Sequence, residues 1–282
     1  MPNTASQRVA HSEFVNQFMN AGYAFPVEVM TRQQARSYLR QLNSLERLLG
    51  GVQVGNKNQL NYPHVLFRFA NEIVRNTQIL DLVEAIIGPD ILVWGSTFFI
   101  KDAKTENYVS WHQDLRYWGL SDEDGQVSVW VALSPATKAN GCMRFLPRSH
   151  NGELLAHHDT HADNNILTRG QEASVEINED NVVHAELKPG QASFHHGKLL
   201  HASAANRSNV RRIGLAINYI GAHVRQTVAR KDYGMLVRGT DRFGYFEPVP
   251  APSADCTETA LAWHQRILAA QNDVLYDGSA IR

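Results

Sequence analysis

Helical spacing of apolar residues dominates the first ninety positions. A capping-box pair, Thr31 and Gln34, opens the first predicted helix. Its apolar side chains recur at helical intervals, at Leu39, Leu42, Leu45, Leu48 and Leu49. A second helix is predicted to begin with a cap at Thr77 and to end at Gly88 and Pro89. Residues 1–90 are therefore predicted to be mainly helical.

Beyond residue 90 the apolar residues come in short runs rich in β-branched and aromatic side chains, which is typical of strands. The runs cover residues 91–94, 98–100, 127–133, 191–194 and 213–220. Turn-forming residues separate them, at 122–125, 140–141, 189–190 and 206–209. Short strands that follow helices, without a βα alternation, predict a mainly β fold with flanking helices, of the sandwich or jelly-roll kind.

One domain is predicted for residues 1–282, because no repeat, low-complexity tract or long linker divides the chain. The helical part, residues 1–90, would pack on a jelly-roll core formed by residues 91–222. Residues 223–282 would form a C-terminal extension. It ends in a helix predicted from about Glu258 to Asn272, whose apolar side carries Leu261, Ile267 and Leu268.

Charge and cysteine content narrow the function classes. The 27 Lys and Arg residues balance 28 Asp and Glu residues, so the formal charge is −1 and nothing indicates a nucleic-acid partner. Two cysteines, Cys142 and Cys256, are too few for a disulfide framework or a four-cysteine zinc site. The first residues lack a signal-peptide pattern and no apolar run is long enough to cross a bilayer, so we expect a cytoplasmic protein without a membrane partner.

Histidine is abundant, with 13 residues in the chain, and one pair of neighbours stands out. His112 and Asp114 follow an aromatic run, and side chains two apart in an extended chain share one face. A third candidate, His201, lies in a later predicted strand region. Two histidines and one carboxylate form the facial triad of non-heme Fe(II) oxygenases, which leaves metal positions open. These three residues are candidate metal ligands and the candidate catalytic centre.

A His-x-Asp pair is a weak signal by itself. The chain contains a second one, His161 and Asp163, in a polar stretch without strand texture, which we interpret as a solvated loop. The context of His112 differs, because aromatic and apolar segments flank it. His195 and His196 are interpreted as structural residues.

Arginines follow His201 closely. Arg212 opens a predicted strand, where its guanidinium could grip a carboxylate with two hydrogen bonds. Arg207 and Arg211 are interpreted as a basic turn. Arg212 is thus the candidate anchor for a dicarboxylate cosubstrate.

Three patches carry a family resemblance. They read Trp-His-Gln-Asp-Leu-x-Tyr-Trp at 111–118, Asn-Gly-Cys-Met-Arg-Phe-Leu-Pro-x-Ser-His at 140–150, and Leu-His-Ala-Ser at 200–203 followed by Arg212. In this order they resemble the phytanoyl-CoA dioxygenase family of Fe(II)- and 2-oxoglutarate-dependent oxygenases, over roughly residues 60–245. The resemblance implies a double-stranded β-helix, a cupin-like jelly roll, with added helices.

The resemblance also implies roles for individual residues. His112, Asp114 and His201 would bind Fe(II), with 2-oxoglutarate and O₂ as cosubstrates. Arg212 and Ser203 would hold the distal carboxylate of 2-oxoglutarate. The pocket of that cosubstrate would be lined by Gln113 and Trp130. The implied reaction is hydroxylation of an unactivated C–H bond, with release of succinate and CO₂.

Alternative functions remain open at this point. Asp114 favours a hydroxylase, because related halogenases have a small residue in its place. The alternatives are a halogenase-like or other oxidative 2-oxoglutarate enzyme of secondary metabolism, a zinc hydrolase, and a metal-free jelly-roll binding module. The chain has no His-Glu-x-x-His segment, which disfavours the zinc hydrolase. The intact ligand and arginine positions disfavour the binding module.

The substrate is expected to be a small polar metabolite, because no long basic groove for a coenzyme A tail is evident. Aminophosphonates, quaternary amines, amino acids, acyl-CoA thioesters and secondary metabolites are all compatible with the family. Candidate substrate contacts are Tyr117, Trp118, Arg144, Asp232 and Tyr233. The aromatic residues among them would cage a cation or else belong to the core. Arg144 alternatively forms a structural ion pair, and the sequence gives no indication of the oligomeric state.

Overall fold

The computed structural model describes residues 5–48, 61–229 and 231–275. The helices of this part are Ala5–Ala21 (α1), Arg32–Leu48 (α2), Pro63–Leu66 (α3), Arg68–Val74 (α4), Thr77–Ile87 (α5) and Glu258–Leu275 (α6). The strands that precede residue 150 are Tyr23–Glu28 (β1), Ile91–Lys101 (β2), Val109–His112 (β3), Gln126–Ala132 (β4) and Met143–Phe145 (β5). The later strands are His157–Asp159 (β6), Gln171–Ala173 (β7), Val183–Ala185 (β8), Gln191–His195 (β9), His201–Ser203 (β10), Arg212–Gly221 (β11), Tyr233–Arg238 (β12) and Glu247–Pro248 (β13).

Two sheets form the body of the fold. The major sheet has the strand order β1-β9-β4-β11-β2-β12-β13, and the minor sheet has the order β3-β10-β5-β8. All pairs are antiparallel except β12 with β13. Side chains from both sheets, such as Trp130 and Phe145, share one buried cluster. The prediction of a mainly β jelly roll with flanking helices is confirmed.

Alternation along the central strands separates a helix-covered face from a site-bearing face. The valines of β4 and alternate residues of β11 join the helices in the main core: Val127, Val129, Val131, Ile213, Leu215, Ile217 and Tyr219. The residues between them point to the other side, because side chains along a strand alternate. These include Ser128 and Trp130 on β4 and Arg212 and Asn218 on β11, all of which line a cavity between the sheets.

The two predicted N-terminal helices exist with small differences at their starts. Thr31 and Gln34 form the capping box, with the Gln34 amide nitrogen 3.2 Å from the Thr31 hydroxyl. The cap of α5 is Asn76, whose side chain accepts a hydrogen bond from the backbone of Ile79 at 3.2 Å, so Thr77 is the first helical residue. Leu49, predicted on the apolar side of α2, lies outside the described residues.

Strands also occur where the pattern did not predict them. β1 lies within the mainly helical segment and forms the edge of the major sheet, where Pro26 is tolerated because an edge strand needs fewer backbone donors. β12 and β13 extend the same sheet beyond residue 222. The sheet therefore recruits residues from both flanking segments. No helix in the described ranges is long and apolar enough to span a membrane.

The final helix buries part of the predicted face. Ile267 is buried and Leu268 packs against the main core as expected, but Leu261 is 42% exposed. The buried positions, spaced one turn apart, are Ala260, His264, Ile267, Gln271 and Val274. Two of these five are polar, so hydrophobic spacing alone could not identify the whole face. The polar pair turns towards the cavity side of the fold, where His264 bonds the carbonyl of Asn61 at 2.8 Å.

Candidate active site

His112 and His201 lie directly opposite each other on paired strands. β3 and β10 are antiparallel neighbours in which His201 is the register partner of His112, and the two ring centroids are 4.1 Å apart. Oδ1 of Asp114 lies 3.4 Å from Nε2 of His112 and 3.8 Å from Nε2 of His201. Among the described residues this is the one group of three metal-ligating side chains that converges. The structure thus brings together the three predicted ligands.

Backbone carbonyls orient both imidazoles. Nδ1 of His112 bonds the Ser110 carbonyl at 2.9 Å, and Nδ1 of His201 bonds the Leu199 carbonyl at 2.9 Å. A carbonyl can only accept, so each Nδ1 carries the proton and each Nε2 presents its lone pair to the cluster. Burial, with the neighbouring His112 second, lowers the pKa of His201 well below its ordinary value. A neutral imidazole is the form that binds metals.

Asp114 follows the strand rather than continuing it. β3 ends at His112, and Asp114 begins a 3₁₀ turn that runs to Arg116. A continued strand would place residues 114, 116 and 118 on one face, but the turn separates them: Arg116 is exposed, whereas Trp118 is buried and lines the cavity. Burial alone would raise the pKa of Asp114, but the surrounding imidazoles hold that pKa well below its ordinary value. The carboxylate is thus ionised.

A third imidazole, His195, borders this cluster, and sequence reasoning had interpreted it as structural. Its Nε2 lies 3.5 Å from Oδ2 of Asp114, and its ring centroid lies 4.5 Å from that of His201. Neither of its ring nitrogens has a hydrogen-bond partner in the described structure. Its neighbour His196 points away and bonds Asp124 at 3.1 Å. Successive side chains at the end of β9 point to opposite sides, and this alternation is the sequence signal that could have distinguished His195 from His196.

Arg212 lies at another part of the same cavity, and its side chain is buried without an anionic partner. Its exposure is 1%, its Nε has no hydrogen-bond partner, and no ion pair reaches it from the described residues. The guanidinium lies 5.0 Å from the ring centroid of Trp130. Burial lowers the pKa of Arg212 to about 10, so it stays charged at neutral pH. A buried, unpaired guanidinium fits the carboxylate of a cosubstrate.

Sequence reasoning missed Lys101, a second buried cation beside Arg212. The two residues are register partners on β2 and β11. The Lys101 ammonium donates to the Ser203 hydroxyl at 2.7 Å, to the Ser203 carbonyl at 3.1 Å, and to the Ala204 carbonyl. Burial, with Arg212 second, lowers the pKa of Lys101 to about 6. A lysine at the end of an apolar strand is normally exposed to solvent, so no sequence pattern predicts this role for Lys101.

The cavity between the sheets measures about 240 Å³. The ligand candidates, Ser203, Arg212 and Trp130 all line it. Its remaining walls include aromatic and amide side chains, of which sequence reasoning identified only Trp118: Asn61, Tyr62, Trp94, Trp118, Asn218 and Gln271. The donor set, two imidazoles and one carboxylate, fits Fe(II), and the free guanidinium in the same cavity fits a dicarboxylate.

Gln113 lies elsewhere. Its side-chain amide donates to the carbonyl of Lys198 at 2.8 Å and to that of Glu153 at 3.3 Å, and accepts from the backbone of Leu155 at 2.8 Å. These bonds use the amide to hold two loops together. The structure does not place Gln113 on the cavity wall.

Four of the five candidate substrate contacts also lie off the wall. Tyr117 packs edge-on against His157, with ring centroids 5.3 Å apart. Arg144 pairs with Glu179 and lies 5.0 Å from the ring centroid of Trp111, which matches the structural alternative.

Tyr233 and Asp232 are buried behind the lining residues. Tyr233 packs edge-on against Trp263, with ring centroids 6.0 Å apart. Asp232 accepts hydrogen bonds from the indole of Trp94 at 2.7 Å and from the amide of Gln271 at 3.1 Å, so it reaches the cavity only through these two lining residues. Trp118 is therefore the one predicted contact that the structure places on the wall.

The basic turn before Arg212 is structural, as expected. Arg211 binds both carboxylate oxygens of Glu46, at 2.9 and 2.8 Å, and Arg207 pairs with Glu106. The competing pair His161 and Asp163 is exposed, in agreement with the loop interpretation, although the short strand β6 precedes it.

A jelly roll that gathers a His-Asp-His cluster and a free buried arginine in one cavity defines the class of non-heme Fe(II) oxygenases that use 2-oxoglutarate and O₂ on small molecules. The family model of phytanoyl-CoA dioxygenase matches residues 20–214, and the chain belongs to this family.

Known proteins agree with this assignment. A probable alpha-ketoglutarate-dependent hypophosphite dioxygenase of Stutzerimonas stutzeri is 23% identical over 79% of this chain and 83% of that protein. The other curated relatives, phytanoyl-CoA dioxygenases and domain-containing homologues, are matched over about a third to just over half of their length.

Solved structures are similar over nearly the whole chain. The apo structure of the non-heme monooxygenase ThoJ is 32% identical, with a TM-score of 0.84, and the match covers 95% of this chain and 100% of that one. CytC3 with Fe(II) and alpha-ketoglutarate is 22% identical, with a TM-score of 0.60 over 85% of this chain and 97% of that one. The second likeness shows a shared fold.

Proposed function

We propose that this oxygenase hydroxylates an unactivated C–H bond of a small polar metabolite, with release of succinate and CO₂. One observation carries the proposal: two Nε2 lone pairs and Oδ1 of Asp114 converge on a cavity that also holds an unpaired guanidinium. Three ligands from the protein leave open positions on an octahedral metal.

His112, Asp114 and His201 would hold Fe(II). The Ser110 and Leu199 carbonyls accept hydrogen bonds from both Nδ1 atoms, so the rings are held with Nε2 aimed at the metal position. The chemistry that bound Fe(II) would supply is the coupling of O₂ reduction to oxidative decarboxylation of 2-oxoglutarate and C–H oxidation. The protein contributes position and a cavity walled by buried side chains, which limits water near the reacting atoms.

Arg212 and Ser203 would hold the distal carboxylate of 2-oxoglutarate. The guanidinium can form a charge-assisted pair with it, and the Ser203 hydroxyl can donate a second bond because the Lys101 ammonium already donates to that hydroxyl oxygen. Trp130 lies against the guanidinium and closes this end of the cavity. Gln113 has no part in the proposed cosubstrate site.

Hydroxylation is favoured over halogenation because an ionised carboxylate occupies the third ligand position. Asp114 is held there by the Ser128 hydroxyl, which donates to Oδ2 at 2.9 Å and leaves Oδ1 for the metal. A halogenase needs that position for a halide. The small cavity supports a metabolite rather than a substrate that must be enclosed with a coenzyme A tail.

The test has two parts. Anaerobic addition of Fe(II) and 2-oxoglutarate should give a weak visible charge-transfer band, and a metabolite screen should find compounds that stimulate succinate formation under O₂. Mass spectrometry of the product should show one added oxygen atom. Absence of both the band and any 2-oxoglutarate-dependent succinate would contradict the proposal, and a chlorinated product in chloride buffer would favour the halogenase alternative.

A further inference from the structure

Asp232 is a buried carboxylate that has no cationic partner in the described part of the chain. Its exposure is 2%, and each of its oxygens accepts two hydrogen bonds. Oδ1 accepts from the Tyr233 backbone at 2.8 Å and from Gln271 at 3.1 Å. Oδ2 accepts from the Trp94 indole at 2.7 Å and from Gln226 at 3.0 Å. All four partners are neutral.

The hydrogen bonds fit an ionised carboxylate. An indole N–H and a backbone N–H can only donate, and one of each kind reaches a different oxygen. The Gln226 amide is oriented as well, because its oxygen accepts from the backbones of Thr227 and Val228 at 3.0 and 2.9 Å. No carboxyl proton has an acceptor in this arrangement. Burial raises the pKa of Asp232, and these four hydrogen bonds counter the rise.

No positive charge within the described ranges balances this anion. Lys231, its sequence neighbour, pairs with Glu247 at 3.2 Å. Two histidines lie behind the same wall, where His64 bonds Ser96 at 2.6 Å and His264 bonds Asn61 at 2.8 Å. Burial lowers the pKa of His64 to about 3 and also lowers that of His264, so both are neutral. Buried charges are almost always paired, so an unbalanced carboxylate points to a partner from outside.

Asp232 lies directly behind residues that line the cavity. Trp94 and Gln271 both bond Asp232 and both line the cavity. Tyr62, another lining residue, has a pKa raised well above its ordinary value, first by burial and then by the Asp232 charge. Trp94 and Trp118 pack with ring centroids 5.1 Å apart and an angle of 49° between the rings.

We propose that the substrate carries a cationic nitrogen, a substituted ammonium, that rests against Tyr62, Trp94 and Trp118 with Asp232 as its counter-charge. This rests on the proposed function and adds a substrate class to it. Aromatic faces attract cations. The Trp94 indole donates its N–H to the Asp232 carboxylate, which makes the face of its ring more negative. Arg212 brings positive charge to the cosubstrate site, whereas Asp232 brings negative charge to the opposite wall, so the cavity separates an anionic cosubstrate from a cationic substrate.

A matched pair of probes tests the charge. Choline and its neutral carbon analogue, 3,3-dimethylbutan-1-ol, have nearly the same shape. Both are titrated by calorimetry into the anaerobic enzyme loaded with Fe(II) and 2-oxoglutarate, with the shift of the visible band as a second readout. Choline should bind at least about tenfold more tightly than the alcohol.

Two variants test whether the preference for choline depends on Asp232 and the aromatic wall in front of it. Asp232→Asn should lower choline affinity about tenfold and leave the alcohol unchanged. Because the new amide would face four donors and could disturb the fold, Trp118→Leu serves as a second variant with the same expected effect on choline. Glu84→Gln is the control, since it removes an exposed carboxylate that pairs with Arg238 at 2.8 Å.

Equal affinity for the two probes, undetectable binding of both, or an unchanged choline preference in both wall variants would overturn the cation assignment. A wild-type enzyme that gives no band with Fe(II) and 2-oxoglutarate fails the proposed function before any probe is added. A normal band without a charge preference overturns the substrate class alone.

Discussion

The hydroxyl of Ser128 donates a 2.9 Å hydrogen bond to Oδ2 of Asp114, while Oδ1 of the same carboxylate is the oxygen near His112 and His201. The Asn218 amide in turn donates to the Ser128 hydroxyl at 3.2 Å. Ser128 and Asn218 are register partners on β4 and β11, so the major sheet itself fixes which carboxylate oxygen is available to a metal.

Ser128→Ala should therefore weaken Fe(II) binding by about 10- to 100-fold, the usual effect of removing a partner that orients a metal ligand. Anaerobic titration of the apoenzyme with Fe(II) measures this. Ser96→Ala is the matched control, because Ser96 lines the same cavity but bonds His64. Equal losses in the two variants would show that the effect is not specific to Asp114.

Asp114→Ala should abolish substrate hydroxylation, because it removes the one anionic ligand of the proposed iron site. The thermal unfolding midpoint should change little, because removal of the Asp114 carboxylate also removes the cost of burying its charge. Product analysis together with calorimetry checks both points. Turnover at the wild-type rate in this variant would refute the proposed triad.

Arg212→Ala should raise the dissociation constant of 2-oxoglutarate much more than that of Fe(II). Loss of a charge-assisted pair costs about 1.5–3 kcal/mol, which corresponds to roughly tenfold to over a hundredfold in affinity. Titration of the anaerobic visible band gives both constants. Arg207→Ala, at an exposed arginine paired with Glu106, should change neither constant. Unchanged 2-oxoglutarate affinity in Arg212→Ala would assign the carboxylate to another residue.

Lys101 should make 2-oxoglutarate binding depend on pH. Its pKa is lowered to about 6 by burial and by Arg212, so the free enzyme loses this charge as pH rises through 6. A dianion favours the charged form, so affinity should be highest below pH 6 and fall above it, by at most about tenfold per pH unit for one proton.

The other groups facing the Lys101 ammonium do not titrate in that range. Burial lowers the pKa of Arg212 only to about 10, and burial with Glu186 raises the pKa of the Cys142 thiol to about 11. Lys101→Met should therefore bind 2-oxoglutarate weakly, and its affinity should be nearly independent of pH between 6 and 8. A pH profile identical to that of the wild type would exclude Lys101.

Gly214→Ala should destabilise the fold at the cosubstrate end. An added Cβ would lie 2.0 Å from a ring carbon of Trp130, so the indole that packs on Arg212 would have to move. Overpacking of this kind costs about 1–3 kcal/mol. Gly152→Ala is the control, since its Cβ would meet nothing closer than 3.4 Å. Denaturant unfolding that gives equal stabilities for both variants would contradict the close approach.

Residues with a regular spacing were predictable, and residues placed by distant pairing were not. His112 and His201 could be assigned because each belongs to a short motif, and the strand runs around them gave the jelly roll. Lys101 and His195 enter the site only through register, opposite Arg212 on β11 and beside the triad on β9, and no local pattern encodes a register. Gln113 lies between two predicted metal ligands in the sequence, but its side chain bonds loop carbonyls. Its position next to the ligands therefore led to a wrong prediction that it lines the cosubstrate pocket.

The residues proposed to hold the cosubstrate come from both sheets. The iron ligands are carried by or follow strands of the minor sheet, whereas Arg212 stands on the major sheet, and the Lys101 ammonium joins β2 to Ser203 and Ala204 across the gap. The length of 2-oxo acid that can bridge metal and guanidinium is therefore set by the thickness of the sandwich. A dicarboxylate one methylene longer would meet Trp130, which closes the Arg212 end of the cavity, and should bind more weakly.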